Sequence, residues 1–205
     1  MATDRDQRLR ALQAARLYFV CDGLPGGREA GPLLDAAFQG GAGIVQLREK
    51  SPRRPEELIA LAEPFRRAAA EHQALFILND RPDLVEACRA DGVHVGQDDM
   101  PVADARALVG EDVLLGRSTH TPAQVDDAAV ADVDYFAVGP VHATPTKPGR
   151  PAVGLELIRH AASAPRAMPW FAIGGIDPGN VADVVGAGAT RIAVVRAIGD
   201  VDDPG

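Results

Sequence analysis

Lysine is almost missing from this chain. Among its 21 basic residues only Lys50 and Lys147 are lysines, and the rest are arginines. A lysine ammonium is a compact, strongly hydrated point charge, whereas an arginine guanidinium is a planar fork. The two lysines fall in Q-L-R-E-K and T-P-T-K, each just past an apolar run. An ammonium is therefore expected to be required at both places, with chance as the competing explanation. Cysteine is equally scarce. Cys21 and Cys88 cannot build a disulfide framework, and two buried reduced thiols are expected. Aromatic residues make up only 4%, which argues against a stacking platform for bases or sugars. No apolar run reaches membrane-spanning length. Met1 to Arg10 is charged and lacks the apolar stretch of a signal peptide, so a reducing cytoplasm is the expected address. Positive charge is in deficit: the net charge of −8 disfavours nucleic acid and anionic membranes as partners. An anionic small molecule can still bind where cations or a metal reverse the local field.

What is present is an alternation of short apolar runs and alanine-rich amphipathic stretches. The runs are Arg16–Cys21, Ile44–Leu47, Leu75–Leu78, Gly92–Val95, Val113–Leu115, Tyr135–Val138, Trp170–Ile173 and Arg191–Val195. Each is rich in Val, Ile, Leu or Phe and bounded by turn residues, as buried parallel strands are. Between them, Pro55–His72, Pro122–Ala131, Leu155–Ala162 and Pro178–Gly186 have helical character, with prolines at plausible first-turn positions. Eight strands alternating with helices in 205 residues predict one domain, residues 1–205, folded as a single (β/α)8 TIM barrel of the α/β class. Asp4–Ala15 reads as an extra N-terminal helix closing the bottom, and the last helix as short or missing. An open doubly wound sheet is the competitor, but no G-x-G-x-x-G follows the first run.

In such barrels the loops after the strands build the site, and polar residues gather there. Strand alternation puts Gln46 and Arg48 on one face, with Lys50 following, and Val45 and Leu47 on the other. Inside a barrel Arg48 needs an anion, either an internal carboxylate or a bound phosphate. Asn79 and Asp80 end one run; Asp98 and Asp99 follow the next. If Asp80 and Asp99 converge they repel unless a proton or cation lies between them, and oxygen ligands without a His/Cys cluster suit Mg²⁺. The alternative is helix capping, because Pro82 and Pro101 follow closely. Ser118 and His120 end the fifth run. The proline-rich loop after the sixth run, holding Thr144, Thr146 and Lys147, is long enough to be functional and reads as a lid or clamp. Gly174 and Gly175 end the seventh run, where a phosphate can approach backbone N–H groups. His94 reads as a satisfied core residue.

Seven segments occur in order from Gln46 to Ile198: Q-L-R-E-K, N-D-R, H-V-G-Q-D-D, G-R-S-T-H, G-P-V-H-A-T-P-T-K, A-I-G-G-I and V-V-R-A-I. Together they resemble the thiamine phosphate synthase family. The resemblance implies a barrel that joins 4-amino-2-methyl-5-hydroxymethylpyrimidine diphosphate to a thiazole phosphate, releasing pyrophosphate by a dissociative, Mg²⁺-assisted route. It implies that Gln46, Arg48, Lys50, Asn79, Ser118 and Lys147 hold the pyrimidine diphosphate, with Arg48, Lys50, Ser118 and Lys147 as catalytic candidates. Asp80 and Asp99 would hold Mg²⁺; Thr144, Thr146, Gly175, Val195 and Arg196 would surround the thiazole phosphate. One departure stands out: the family usually has serine where this chain has Arg196, which either grips the phosphate, folds outward, or fills the pocket and puts thiazole binding in doubt. Rival readings are a thiazole tautomerase, whose relatives generally lack the paired aspartates and the T-x-T-K segment, an epimerase barrel, and a non-catalytic thiamine-pathway binding protein. Oligomeric state is left open by the sequence.

Overall fold

The computed structural model describes residues 4–144, 151–164 and 168–200. Eight parallel strands close into a barrel in sequence order: β1 (Leu17–Cys21), β2 (Ala42–Leu47), β3 (Leu75–Asn79), β4 (Gly92–Val95), β5 (Leu114–Thr119), β6 (Tyr135–Val138), β7 (Trp170–Ile173) and β8 (Ile192–Val194). Closure is made by β1 against β8, with Tyr18 opposite Ala193 and Phe19 opposite Val194. The open-sheet alternative is thereby excluded. Around the barrel run α1 (Asp4–Ala14), α2 (Gly31–Gln39), α3 (Pro55–Glu71), α4 (Val85–Cys88), α5 (Val102–Val109), α6 (Pro122–Ala128), α7 (Gly154–Ser163), α8 (Val181–Gly186) and α9 (Arg196–Gly199).

The pleat explains why this sequence closes. Alternate residues of each strand face opposite ways. Phe19, Val45, Leu47, Phe76, Leu78, Val93, Leu115 and Phe136 belong to the outer core beneath the helices. Tyr18, Val20, Ile44, Leu75, Ile77, Leu114, Tyr135 and Phe171 fill the barrel. Val45 and Leu47 pack outward, so Gln46 between them is directed inward and is 4% exposed. Gly116 of β5 sits on the inward parity, and a Cβ there would lie 2.2 Å from the ring of Tyr135. The missing side chain is what lets that ring cross the barrel.

The bottom is closed by α1, as expected. Leu12 is fully buried and joins the inner cluster with Ala15. Arg8 bonds Asp91 at 3.0 Å and Arg5 bonds Asp134 at 2.8 Å. Asp134 also accepts from Arg106 and from the Leu115 N–H, each at 2.8 Å. Both cysteines are buried free thiols.

Helix starts follow local chemistry. Glu57 reaches back to the Arg54 N–H at 2.9 Å ahead of α3, and Thr121 accepts from the Gln124 N–H at 3.2 Å to cap α6. One expected boundary is corrected. Pro178 does not open a helix, because α8 begins at Val181. Asp177 and Asn180 instead close a turn, bonding the Gly179 and Asp177 N–H groups.

Candidate active site

The C-terminal ends of the strands surround a cavity of about 320 Å³. Its floor is the inward face of the barrel, with Gln46, Ser118 and Ala193 among its lining; its walls are the following loops, with Gly174, Gly175 and Arg196. Of the residues singled out from sequence, Gln46, Arg48, Asn79, Ser118, Thr144, Gly175, Val195 and Arg196 line this one space. Lys50 and Asp80 line a second hollow, of about 240 Å³, which shares Asn79 with the first. Thr146 and Lys147 lie outside the described residues.

Asp80 and Asp99 converge. Asp80 follows β3 and Asp99 the turn after β4, and their carboxyl groups are within hydrogen-bonding reach of each other. Burial raises the Asp80 pKa above the usual carboxylate value, and its neighbour Asp99 adds to the rise, while Lys50 pulls it down. The Lys50 Nζ forms an ion pair with Asp80 Oδ2. Neither aspartate caps a helix through its side chain. The 3-10 turn after β3 and the helix α5 have Arg81 and Pro101 at their caps, without side-chain bonds. Asp99 braces its own turn by accepting from the Gly96 N–H at 2.8 Å. Asp80 has φ +60°, a left-handed conformation that aspartate tolerates better than most residues.

Arg48 continues the inward row of β2 past Gln46. It is half-buried, and no hydrogen bond or ion pair to its side chain occurs among the described residues. Burial lowers its pKa, and the fields of Asp80 and Asp99 raise it again. The internal ion pair that would have made Arg48 purely structural is therefore not formed at contact distance. A half-buried guanidinium next to two crowded carboxylates and an ammonium forms a surface of alternating charge. Two oxygen donors with no sulfur or imidazole beside them fit a hard divalent cation. Among the described residues no group of three or more metal-ligating side chains exists, so such a cation would take its remaining oxygens from a ligand or water.

The loops after β6 and β7 are packed against each other. Val141 and His142 donate to Ile173 O and Gly174 O, each at 2.9 Å. Gly174 and Gly175 have φ +107° and +62°, and a Cβ on Gly174 would lie 2.5 Å from Pro140. The two ends of the long loop meet here too: the Val153 N–H bonds Pro140 O at 2.8 Å and the Gly154 N–H bonds Val141 O at 3.1 Å. The expected helix N-terminus directly behind the glycines is not there, since α8 starts later. Arg196 is exposed, so it does not plug the cavity it lines.

Sequence reasoning left out Tyr18, which lines the cavity floor, and Tyr135, whose hydroxyl hydrogen-bonds that of Tyr18 at 3.0 Å. A signal existed: they are the only two tyrosines of the chain, and Tyr18 shares the inward parity of its strand with Val20. His94 does prove to be a satisfied core residue, bonded through both ring nitrogens.

A (β/α)8 barrel with a polar cavity at the C-terminal ends of its strands is the frame of an enzyme acting on a small molecule. Residues 17–198 match the family described as "Thiamine monophosphate synthase", and the chain belongs to that family. It is 50% identical over 196 residues to a thiamine-phosphate synthase of Acidothermus cellulolyticus, covering 95% of this chain and 92% of that one. With the thiamine-phosphate synthase of Streptomyces avermitilis it shares 50% identity over 194 residues, covering 94% and 90%. Among solved structures, thiamine phosphate pyrophosphorylase from Pyrococcus furiosus superposes with a TM-score of 0.82 at 28% identity, covering 98% of this chain and 92% of that one.

Proposed function

We propose that this barrel couples 4-amino-2-methyl-5-hydroxymethylpyrimidine diphosphate to a thiazole phosphate, giving thiamine phosphate and pyrophosphate. The reaction class is that of the family, thiamine phosphate synthesis. The observation that carries the substrate assignment is the rim itself. Arg48 is half-buried with no carboxylate in contact, and it stands by two converging aspartates and Lys50. A departing diphosphate is the ligand whose charge this arrangement complements. Paired aspartates of this kind also argue against the tautomerase reading.

In this reading Gln46, Asn79 and Ser118 orient the pyrimidine diphosphate, and Arg48, Lys50 and Lys147 stabilise charge on the leaving group. Asp80 and Asp99 would hold Mg²⁺, which when bound supplies positive charge against the diphosphate oxygens. Thr144, Thr146, Gly175 and Val195 receive the thiazole phosphate, and Arg196 is available to the same anion. The C–O bond to the diphosphate breaks with its electron pair leaving on oxygen, and the thiazole nitrogen lone pair closes the new C–N bond. No protein nucleophile or base is required. Keeping water from the cavity would protect the pyrimidine-methyl cation from being trapped. No helix among the described residues is long and apolar enough to cross a membrane, and we place the reaction in the cytoplasm.

The test is direct. Purified protein mixed with both substrates and Mg²⁺ is expected to release pyrophosphate and thiamine phosphate in equal amounts. Absence of thiamine phosphate in that mixture overturns the assignment.

A further inference from the structure

On the cavity floor, five polar side chains from five strands hydrogen-bond in a row, and all of them except Tyr135 line the cavity. Gln46 Nε2 donates to the Tyr18 hydroxyl at 2.7 Å. The Tyr18 and Tyr135 hydroxyls are 3.0 Å apart. The Tyr135 hydroxyl is 3.2 Å from His94 Nδ1, and His94 Nε2 is 2.9 Å from Ser118 Oγ. All five are buried, from 0% exposure at Tyr135 to 8% at Ser118. The two ends, Gln46 and Ser118, are substrate-binding groups in the reading above. The three middle members have no part in the reaction as derived.

The direction of every proton in this row follows from one bond. A buried O–H left without an acceptor is costly, so each hydroxyl must donate to a partner. Tyr18 already accepts from Gln46, and its proton goes to the Tyr135 oxygen. The Tyr135 proton then goes to His94 Nδ1, which must carry a lone pair. A neutral imidazole with a bare Nδ1 has its hydrogen on Nε2, and that hydrogen goes to Ser118 Oγ. The Ser118 proton is the one left over, and Ser118 lines the cavity. At the other end, Gln46 Oε1 has no protein hydrogen bond among the described residues, and Gln46 also lines the cavity. Burial raises the pKa of both tyrosines, which keeps the two O–H groups in place.

We propose that Tyr18, Tyr135 and His94 are positioning residues that set the hydrogen-bond polarity of the cavity: an acceptor at Gln46 and a donor at Ser118. Reversing one end requires every bond in the row to reverse, so the two ends act as a unit. The ligand this polarity selects carries an N–H donor at one end and an anionic or ether oxygen at the other. Resting on the function proposed above, those are the exocyclic amine and the diphosphate-bearing end of the pyrimidine substrate. A pyrimidine with a carbonyl in place of the amine would meet acceptor with acceptor.

Two measurements test this. In protein labelled with ¹⁵N-histidine, long-range ¹H–¹⁵N correlation reads the tautomer of His94, and Nε2–H is expected; an Nδ1–H signature overturns the proposal. Tyr135→Phe removes one hydroxyl from the middle of the row and keeps the ring. It is expected to lower kcat/KM for the pyrimidine diphosphate about tenfold, the size of one hydrogen bond, with KM for the thiazole phosphate unchanged. Wild-type kinetics, or equal losses for both substrates, overturn it. Tyr18→Phe cuts the same row nearer Gln46 and serves if Tyr135→Phe does not fold. Should the wild type make no thiamine phosphate, the function assignment falls while the tautomer still decides the polarity.

Discussion

Asp80 is held at φ +60°, and both asparagine and aspartate accept that conformation more readily than alanine. Asp80→Asn therefore removes the charge without adding backbone strain. It is expected to reduce turnover on the order of a hundredfold or more and to abolish the response to added Mg²⁺, with the thermal midpoint near wild type. Retained Mg²⁺ activation would show that Asp80 is not a ligand. At Arg196, Arg196→Ser should raise KM for the thiazole phosphate about tenfold, since a hydrogen bond to a charged group is worth roughly 1.5–3 kcal/mol. An unchanged KM means the guanidinium turns outward. Gly116 matters by what it lacks. Gly116→Ala puts a methyl into the Tyr135 ring, which is fully buried and cannot swing away. A destabilisation of about 1–3 kcal/mol is expected from this overpacking, read by denaturant titration.

Among the elements, β5 shows most plainly how a strand divides its duties. Its first half, Leu114 and Leu115, is core; its second half carries Gly116, Arg117 and Ser118. The apolar run in the sequence stops at Leu115 because Gly116 makes room for the Tyr135 ring and Ser118 lines the cavity. Arg117 bonds Gln97 Oε1 at 3.1 Å, and the Gln97 amide in turn holds the Ser118 carbonyl. At the barrel bottom Arg5 of α1 and Arg106 of α5 converge on Asp134, whose side chain is 5% exposed, as Arg106 is at 7%. Removing one partner of such a pair leaves a buried charge. Asp134→Ala is expected to cost about 3–5 kcal/mol in chemical denaturation, with both KM values unchanged because the site lies at the other end of the barrel.

Taken whole, the molecule carries −8 and yet reads as a binder of anions. The conflict is resolved by location, since Arg48 and Lys50 stand at the rim while Arg5, Arg8 and Arg106 at the bottom pair with aspartates. The closed barrel also buries both thiols, Cys21 at 6% and Cys88 at 3% exposure. Burial raises both pKa values, that of Cys88 to about 11. A thiol reagent at neutral pH should therefore modify neither cysteine rapidly in the native state and both in denaturant. A fast native phase would mean that the barrel opens locally near β1 or α4.

The order of elements was legible in the linear chain because barrel strands are buried on both faces and stand out as apolar runs; Gly92–Val95, Tyr135–Val138 and Trp170–Ile173 keep the same bounds in the fold. The rim residues were legible for a related reason: polar side chains recur just past the apolar runs, where the loops of a barrel build its site. Closure was legible as eight apolar runs alternating with helices; the contacts that closure makes were not. That Asp80 meets Asp99, that Arg48 lacks a carboxylate in contact, and that two lone tyrosines join Gln46 to Ser118 all depend on strand register around a ring. Register is a property of pairs of strands, and no single segment carries it.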